Sequence, residues 1–535
     1  MNDIMFTGKK ILKWFGIVII SIAAITLVGN IVVKRMIQKK FDASLSQLQP
    51  FVDAKYKDLH ISLLTGSFII DSLSVLYRPD STKTEYYHKF SMPVVDISGI
   101  NYFKLISGKS FSASGLDLNN CNVLLNSRLL ESTDTVAKKL LSKIKVPFQN
   151  ITFGKISLTN SSIKKTNSKK DVAENVNLTI TNVELNNIDS FAVKKDLLFS
   201  NIIGELDNVN YSLPGYHTLQ INKVSFNSKD SILNIDSLQI HPQLSKLELG
   251  KKLGHQADCI TATVPSITLS GIDFRKLQEN KIIADKLNIN DVIVYVFRDR
   301  RLPRQMKDQP MTAEYLKQMP FDIFINDFDL KNTTATSEEF PKDGEKTGYL
   351  KITGINVTMK PFFNNVNKDH STLQASVRGN IMSAGAIHAD IDLSLSSGIE
   401  HINGSINELQ LTALNPSAEN LGKFHVESGV LNRLDFTFSA SDKKATGKIV
   451  GIYHDLVLDK LKETKDGKLK KASLPTFALK TFIIPKNKDA SMPVEKRTGK
   501  IDFERDPTRF ITFYYIKALL DGIRNSFSLG FLLPK

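Results

Sequence analysis

The chain has 535 residues, of which 23% are charged and 41% are hydrophobic, so most of it is expected to fold, as two or three domains or one long repetitive domain. Its 70 lysine and arginine residues exceed its 55 aspartate and glutamate residues, giving a net charge of +15. This excess favours anionic partners such as phospholipid headgroups, with an inert basic surface as the open alternative. No zinc-finger spacing or RNP-type aromatic motif accompanies it, so we expect no nucleic-acid partner.

Residues 14–33 form an apolar run of the length needed to span a bilayer. A basic segment that starts at Lys34 follows directly, whereas a cleaved signal peptide usually has a shorter apolar region that ends in small residues. The sequence therefore predicts an uncleaved transmembrane anchor, with residues 1–40 forming a cytoplasmic tail and the anchor. Both flanks are basic, so we choose the simplest topology, in which the rest of the chain is exported. The predicted membrane-contacting residues are Trp14, Phe15, Ile17, Val18, Ile19, Ile20, Leu27, Val28 and Val33.

Residues 41–297 alternate short apolar patterns with polar turns, which predicts β-strands. An eight-residue unit recurs along the chain. Apolar residues occupy its first, third, sixth and eighth positions, and a polar pair occupies the fourth and fifth. Because side chains alternate between faces along a strand, a β-bulge at the polar pair would return the second apolar pair to the first face. Copies occur at Phe68–Val75, Val95–Tyr102, Phe111–Leu118, Ile151–Leu158, Leu178–Leu185, Leu219–Phe226, Leu233–Ile240, Ile282–Ile289, Ile323–Leu330 and Leu350–Val357.

These units predict a mainly β fold. The minimum interpretation is a protein full of half-buried strands, and the sharper one is an elongated, twisted antiparallel sheet or groove with one apolar face. Three units supply the candidate residues of that face: Phe68, Ile70, Leu73, Val75, Ile151, Phe153, Ile156, Leu158, Ile323, Ile325, Phe328 and Leu330.

Residues 298–320 interrupt the strands. Arg298–Gln309 is densely basic and is a solvated loop or, as the less favoured alternative, a phosphate contact. Thr312–Met319 predicts a short helix with Thr312 as its N-cap. Strands resume at Phe321 and fill a second β region, residues 321–485.

Residues 486–535 are predicted to be a connector followed by an amphipathic helix. This helix either caps the edge of a sheet or lies on a membrane surface. Its apolar stripe consists of Phe513, Ile516, Leu520, Ile523 and Phe527, with Arg509, Lys517 and Arg524 beside it.

The chain contains no catalytic motif of a known type, so we expect no enzymatic activity and no cofactor. His388, Asp390 and Asp392 alternate along one strand and therefore share a face. The exposed face of an amphipathic strand explains them better than a cation site does. Cys121 and Cys259 are too few for a disulfide framework or a metal site, and a single disulfide between them is the less favoured alternative.

Residues 404–462 carry a strand ending in Leu-x-Leu, a loop with Asn-Pro, a Ser-Gly strand pair and a later strand that begins at a glycine. In this order and composition they resemble the C-terminal region of the AsmA-like family of bacterial envelope proteins. The matching positions are Leu409, Leu411, Asn415, Pro416, Ser428, Gly429, Gly447, Asp455 and Leu456. The resemblance implies an elongated, twisted β-groove in the periplasm, and relatives are linked to phospholipid transport or outer-membrane assembly.

On this basis we expect a single-pass protein of the bacterial inner membrane with most of its chain in the periplasm. Its apolar groove would bind a phospholipid or another acyl lipid. The alternative is a structural or assembly factor of the envelope that binds protein partners and transfers no lipid.

Overall fold

The structure is a computed structural model that describes residues 52–62, 64–78, 87–102, 110–126, 149–166, 171–186, 197–366, 369–463, 469–471 and 485–527, residue 104 and individual positions between 35 and 49. The predicted anchor, residues 14–33, lies outside the described residues. Within the ranges described, no helix is both long enough and apolar enough to cross a membrane.

The described chain is mainly β and divides into two compact units. Unit 1 comprises Met1–Asn210 and Ser225–Lys229, and unit 2 comprises Tyr211–Val224 and Asp230–Lys535. The strands of unit 1 are β1 (Val52–Lys55), β2 (Asp58–Ser62), β3 (Ser67–Tyr77), β4 (His88–Ser98), β5 (Ser110–Asn119), β6 (Asn122–Leu125), β7 (Asn150–Lys165), β8 (Asp171–Leu185) and β9 (Leu197–Leu198). Two strands, β10 (Asn201–Leu213) and β11 (His217–Asn227), contain residues of both units.

Within its described residues, unit 2 holds the remaining strands and five α-helices. Its strands are β12 (Ile232–Pro242), β13 (Asp258–Ser270), β14 (Lys281–Asn290), β15 (Ile293–Asp299), β16 (Asp322–Phe340), β17 (Gly348–Met359), β18 (Phe362–Phe363), β19 (Thr372–Ile381), β20 (Gly385–Ser394), β21 (Glu400–Gln410), β22 (Phe424–Ala440), β23 (Lys444–Glu463), β24 (Leu469–Lys471) and β25 (Thr498–Glu504). Its α-helices are α1 (Lys246–Leu253), α2 (Thr312–Lys317), α3 (Asn415–Asn420), α4 (Val494–Arg497) and α5 (Ile511–Phe527).

Helix α2 confirms the helix predicted after the basic segment, but the predicted N-cap is wrong. The N-cap is Met311, whose N–H donates to the side chain of Glu314 at 3.3 Å. Thr312 is already the first helical residue, and its hydroxyl lies 3.4 Å from the hydroxyl of Tyr515. Its side chain therefore connects α2 to α5.

The sheets are mixed, so the prediction of a purely antiparallel sheet is wrong. In unit 1, β5 and β6 both pair antiparallel with β4 and parallel with β7. In unit 2, β14 and β15 both pair antiparallel with β13 and parallel with β16. A parallel pair requires a crossover connection instead of a hairpin, and the chain supplies one between β6 and β7 and another between β15 and β16.

These two arrangements form an internal duplication. Equivalent positions adopt the same left-handed backbone, which L-residues rarely adopt. The pairs with positive φ are Ser72 and Ser237, Gly66 and Ser231, Gly99 and Gly271, Asn120 and Asp291, and Asn160 and Asn332. The sequence Ile-Asp-Ser-Leu occurs at both Ile70–Leu73 and Ile235–Leu238. One supersecondary unit thus occurs twice, once in each compact unit.

Asparagine amides hold the left-handed bends in place. In unit 1, the Asn177 side chain accepts the N–H of Asn160 at 2.9 Å and donates to the carbonyl of Asn175 at 2.9 Å. In unit 2, the Asn356 side chain accepts the N–H of Asn332 at 3.1 Å and donates to the carbonyl of Gly354 at 2.9 Å. Backbone groups that the bend removes from the strand ladder thereby keep a partner.

The predicted bulge is wrong for Phe68–Val75 and Ile323–Leu330, whereas the register of Leu350–Val357 does shift at its polar pair, between Thr353 and Asn356. Around the left-handed Ser72, Asp71 still pairs with Val94 and Leu73 with Met92, so the register of β3 and β4 is unchanged. Both strands leave the ladder at the same level, and no extra residue is needed. The register shifts between β16 and β17 occur later, after Leu330 and around the bend at Asn332.

Candidate functional site

Two rows of apolar side chains cross unit 1. Residues directly opposite each other on neighbouring strands point to the same face, so the strand register defines each row. Row A1 consists of Ile61, Phe68, Ile97, Leu116, Ile156, Ile180 and Ile202. Row B1 consists of Leu59, Ile70, Val95, Leu118, Leu158, Leu178 and Gly204. Each row crosses seven strands without a polar side chain.

Unit 2 contains the corresponding rows over eleven strands. Row A2 consists of Leu233, Leu269, Leu287, Phe328, Met359, Ala375, Ile391, Ile402, Phe438, Gly447 and Ile501. Row B2 consists of Ile235, Ile267, Ile289, Leu330, Val357, Val377, Ala389, Gly404, Phe436, Ile449 and Gly499.

The opposite face of the same strands in unit 2 is polar. The residues between rows A2 and B2 are Asn234, Thr268, Asn288, Asp329, Thr358, Ser376, Asp390, Asn403, Thr437, Lys448 and Lys500. Successive side chains on a strand point to opposite faces, so the sheet is apolar on one face and hydrated on the other.

Rows A2 and B2 are closed at one end and half-buried at the other. From β21 to β25 all members except Gly404 and Gly447 are buried: Ile402 is 5% exposed, Phe438 is 2%, and Ile449 and Ile501 are both 0%. From β12 to β17 nearly all members are half-buried, with Leu269 the exception at 8%. A second layer that covered the side chains from β12 to β17 completely would bury them as much as those at the closed end. These side chains are therefore only partly covered.

Helix α5 makes the closed end. Tyr514 and Ala518 are 1% and 0% exposed and pack in one cluster with Ile449 and Ile501. Gly522 and Gly499 lie so close that a Cβ on Gly499 would be 2.0 Å from the Gly522 carbonyl oxygen. The helix therefore caps the sheet, as one of the two alternatives predicted.

The buried face of α5 differs from the predicted stripe. Of that stripe, only Ile523 packs against the cluster, Ile516 is 46% exposed and Phe513 and Leu520 are half-buried. The side chain of Phe527 lies outside the described part. Small residues on the buried face let the helix approach the strands closely, and this contact outweighs the larger hydrophobic area of the other stripe.

A buried carboxyl group lies where α2 and α5 meet the sheet. Glu400 is 2% exposed and accepts a hydrogen bond from the hydroxyl of Tyr515. Burial raises the pKa of Glu400 to about 7, because desolvation disfavours its charged form.

The structure places eight of the twelve predicted face residues as follows. Phe68, Ile156 and Phe328 lie in the A rows, and Ile70, Leu158 and Leu330 lie in the B rows. Leu73 packs in the same cluster as Phe68 and Ile70, three positions beyond Ile70, and Val75 lies opposite Phe90 on the neighbouring strand.

The other four predicted residues lie on strands β7 and β16, which the rows cross, but outside the rows themselves. Ile151 and Phe153 are half-buried, and the Phe153 ring lies 5.6 Å from that of Phe111. Ile323 is half-buried, whereas Ile325 is only 2% exposed.

Phe362 joins the two halves of the Ile323–Leu330 unit. It lies opposite Ile325, and its ring packs 5.6 Å from the ring of Phe328. Phe324, which the periodicity did not select, packs with Phe363 in a second buried cluster.

Sequence reasoning recognised the strands but missed the rows themselves. The chain is similar to itself at a nearly constant separation, and this signal would have revealed which strands are equivalent. The structure was still needed to show which strands pair. In each unit two strands pair parallel with a long strand (β7 or β16) before that strand pairs antiparallel with the next one, and the sequence does not indicate this order.

The remaining polar candidates do not form a reactive centre. The ring nitrogen Nε2 of His388 lies 3.4 Å from Asp390 on the polar face. In the described ranges, no three His, Cys, Asp or Glu side chains are arranged to hold a metal ion. Cys121 and Cys259 are buried free thiols, and burial raises the pKa of each.

The chain matches no protein-family model and no curated protein. The argument for a function therefore depends on the rows and on the chemistry of the side chains around them.

Proposed function

We propose that the chain is a membrane-anchored protein of the bacterial envelope whose apolar rows hold the acyl chains of phospholipids. Residues 14–33 would anchor it in the inner membrane as a single span, and most of the chain would lie in the periplasm. The observation that carries the proposal is the continuity of rows A2 and B2 on one face, with a continuous polar row between them on the opposite face. The resemblance of residues 404–462 to AsmA-like proteins, which are linked to phospholipid transport or outer-membrane biogenesis, agrees with it.

The dimensions of the rows suit an acyl chain. Neighbouring strands lie about 4.8 Å apart, so the five strands of rows A2 and B2 from β12 to β17 span about 19 Å. The hydrocarbon core of a bilayer, which holds two acyl layers, is about 30 Å thick. Each buried CH₂ group contributes about 0.8 kcal/mol, so a small part of one acyl chain provides appreciable binding free energy.

The half-buried part of the rows is where a ligand would bind. At the closed end, α5 already removes the apolar side chains from water, and an acyl chain would have to displace it. Between β12 and β17 the side chains retain exposed area that a lipid would cover. We therefore place the acyl chain along this part of rows A2 and B2.

The test is a pair of charge substitutions on β17 of the full-length protein, purified in detergent, with mass spectrometry of the phospholipids that co-purify. Val357 is a half-buried member of row B2, and the adjacent Thr358 is exposed on the polar face. We expect Val357→Asp to remove most of the bound lipid and Thr358→Asp to retain it, with similar Tm values for the two variants. Ile325, at 2% exposed, is unsuitable because a charge there would test the core.

Two outcomes would contradict the proposal. If Val357→Asp unfolds the protein while Thr358→Asp does not, the rows are an ordinary closed core, since an unpaired buried charge costs several kcal/mol. If neither variant changes the lipid content, or if the unmodified protein carries no lipid, the alternative of an envelope assembly factor with protein partners is favoured.

A further inference from the structure

Two segments that are distant in sequence bring basic side chains together in unit 2. One is the basic segment Arg298–Gln309, and the other is the segment that leads into α5 together with the first turns of that helix. The Arg304 guanidinium is 2.9 Å from Asp506, and the N–H of Gln309 donates to the carbonyl of Pro507 at 2.7 Å. We call the resulting group the basic cluster; it consists of Arg298, Arg300, Arg304, Arg509 and Lys517.

Carboxylates neutralise only part of the basic cluster. Arg298 binds Asp258 through two hydrogen bonds of 2.8 Å, and Arg300 binds Glu339 at 3.2 Å. These two pairs account for two cations. Asp506, the third carboxylate, already binds Arg304 and accepts two hydrogen bonds from Thr508.

Arg509 and Lys517 are left without a carboxylate of their own. Arg509 lies 3.9 Å from Asp506, its side chain is only 15% exposed, and its buried Nε has no hydrogen-bond partner. Lys517 makes no hydrogen bond or ion pair within the part of the chain that the structure describes. Burial, and after it the neighbouring cations, lower the pKa of both groups. An anion placed here would relieve this repulsion.

Aromatic and apolar side chains surround the two cations. The Arg509 guanidinium lies 5.0 Å and the Lys517 ammonium 5.6 Å from the centre of the Phe513 ring. Phe510, which lies under Arg298, is 45% exposed, and Ile516 is 46% exposed. Ile516 and Lys517 lie on the face of α5 that does not pack on the sheet, and Arg509 and Phe510 directly precede the helix. A ligand that matches this surface has a phosphate beside hydrocarbon.

We infer that the basic cluster, at Arg509 and Lys517, binds the phosphate of a phospholipid headgroup while Phe510 and Ile516 contact the adjoining glycerol and acyl region. Guanidinium and ammonium groups supply hydrogen bonds to phosphate oxygens. This site deepens the proposed function by naming a headgroup contact, but it does not use the apolar rows. The two ideas can therefore fail separately.

The experiment measures lipid binding to the full-length protein in a non-ionic detergent by native mass spectrometry. The probes are phosphatidylglycerol, diacylglycerol, which has the same acyl chains without the phosphate, and inorganic phosphate. The variants are Arg509→Gln with Lys517→Gln and, as a matched control, Lys496→Gln, which removes an exposed cation elsewhere in unit 2. Each cation near an anionic lipid contributes about fivefold in affinity.

We expect the double variant to weaken phosphatidylglycerol binding about 25-fold, and Lys496→Gln to leave it unchanged. Diacylglycerol binding should be equal in all variants, and phosphatidylglycerol should bind the unmodified protein more tightly than inorganic phosphate does. Equal phosphatidylglycerol affinity in the double variant and the unmodified protein would overturn the inference. So would inorganic phosphate that binds as tightly as the lipid, because the occupant would then be free phosphate. If only the Val357→Asp variant loses diacylglycerol binding, the loss concerns the apolar rows and not the basic cluster.

Discussion

Gly499→Ala tests whether α5 closes the end of the apolar rows. The added Cβ would lie 2.0 Å from the carbonyl oxygen of Gly522 and 2.7 Å from the backbone nitrogen of Ser526. Ordinary contacts of a Cβ are 3.4–4 Å, and backbone atoms of a helix cannot rotate away. The whole helix must therefore retreat from β25, and the fully buried Ala518 and Ile501 lose packing.

Overpacking of this kind costs about 1–3 kcal/mol. For a unit of this size each kcal/mol lowers Tm by about 2–4 °C, so a decrease of several degrees is expected in thermal unfolding. Hydrogen exchange should also become faster in the amides of α5, because the helix opens more often.

The matched control is Lys500→Ala, the next residue on β25, whose side chain is exposed on the polar face. Its effect should stay within about 0.5 kcal/mol. A Gly499→Ala protein with unchanged Tm and unchanged exchange in α5 would refute the close packing of helix and strand.

Two further predictions concern the bends and the buried carboxyl group. Asn356→Ala removes the hydrogen bonds to Asn332 and Gly354 and should lower the free energy of unfolding by about 1–2 kcal/mol in denaturant titration. If Thr358→Ala lowers it by the same amount, the Asn356 amide does not stabilise the bend. Glu400 has a pKa of about 7 in the folded state against 4.5 as its ordinary value, so its stabilising contribution is complete below pH 4.5 and is lost as the pH rises through 7. Between pH 5 and 8, the Tm of the unmodified protein should fall relative to the Tm of Glu400→Gln. If Tm changes with pH in the same way in both proteins, the charge of Glu400 is not buried.

Local periodicity predicted the strands correctly because a strand pattern depends on neighbouring residues. Phe328 and Leu330 alternate with aspartates, and the structure places both in the rows. The position of the register shift in β16 could not be predicted in this way. The bend lies at Asn332, where the Asn356 amide from the next strand stabilises the left-handed backbone. The polar pair that begins at Asn326 looks equally suitable in the sequence.

The same limit explains the errors in topology and in the helix. Short turns between strands favoured antiparallel pairing, but β7 and β16 return by long connections and run parallel to two short strands each. In α5, the larger side chains defined the predicted stripe, whereas the buried face contains Ala518 and Gly522. Close approach of two backbones depends on which glycine lies opposite, and Gly499 is not close to Gly522 in sequence.

The two faces of α5 connect the proposed lipid site to the closed end of the rows. Its inner face fixes the helix against β25, while its outer face carries Ile516 and Lys517, and Arg509 lies just before its first turn. A helix that served only as a cap would be expected to expose polar side chains, and cations without partners are an electrostatic cost in such a role. A helix that only bound membranes would not need the close contact between Gly499 and Gly522. Both features together are expected if α5 holds a headgroup at a fixed position beside an apolar sheet, and Gly499→Ala should then also weaken phosphatidylglycerol binding without removing any cation.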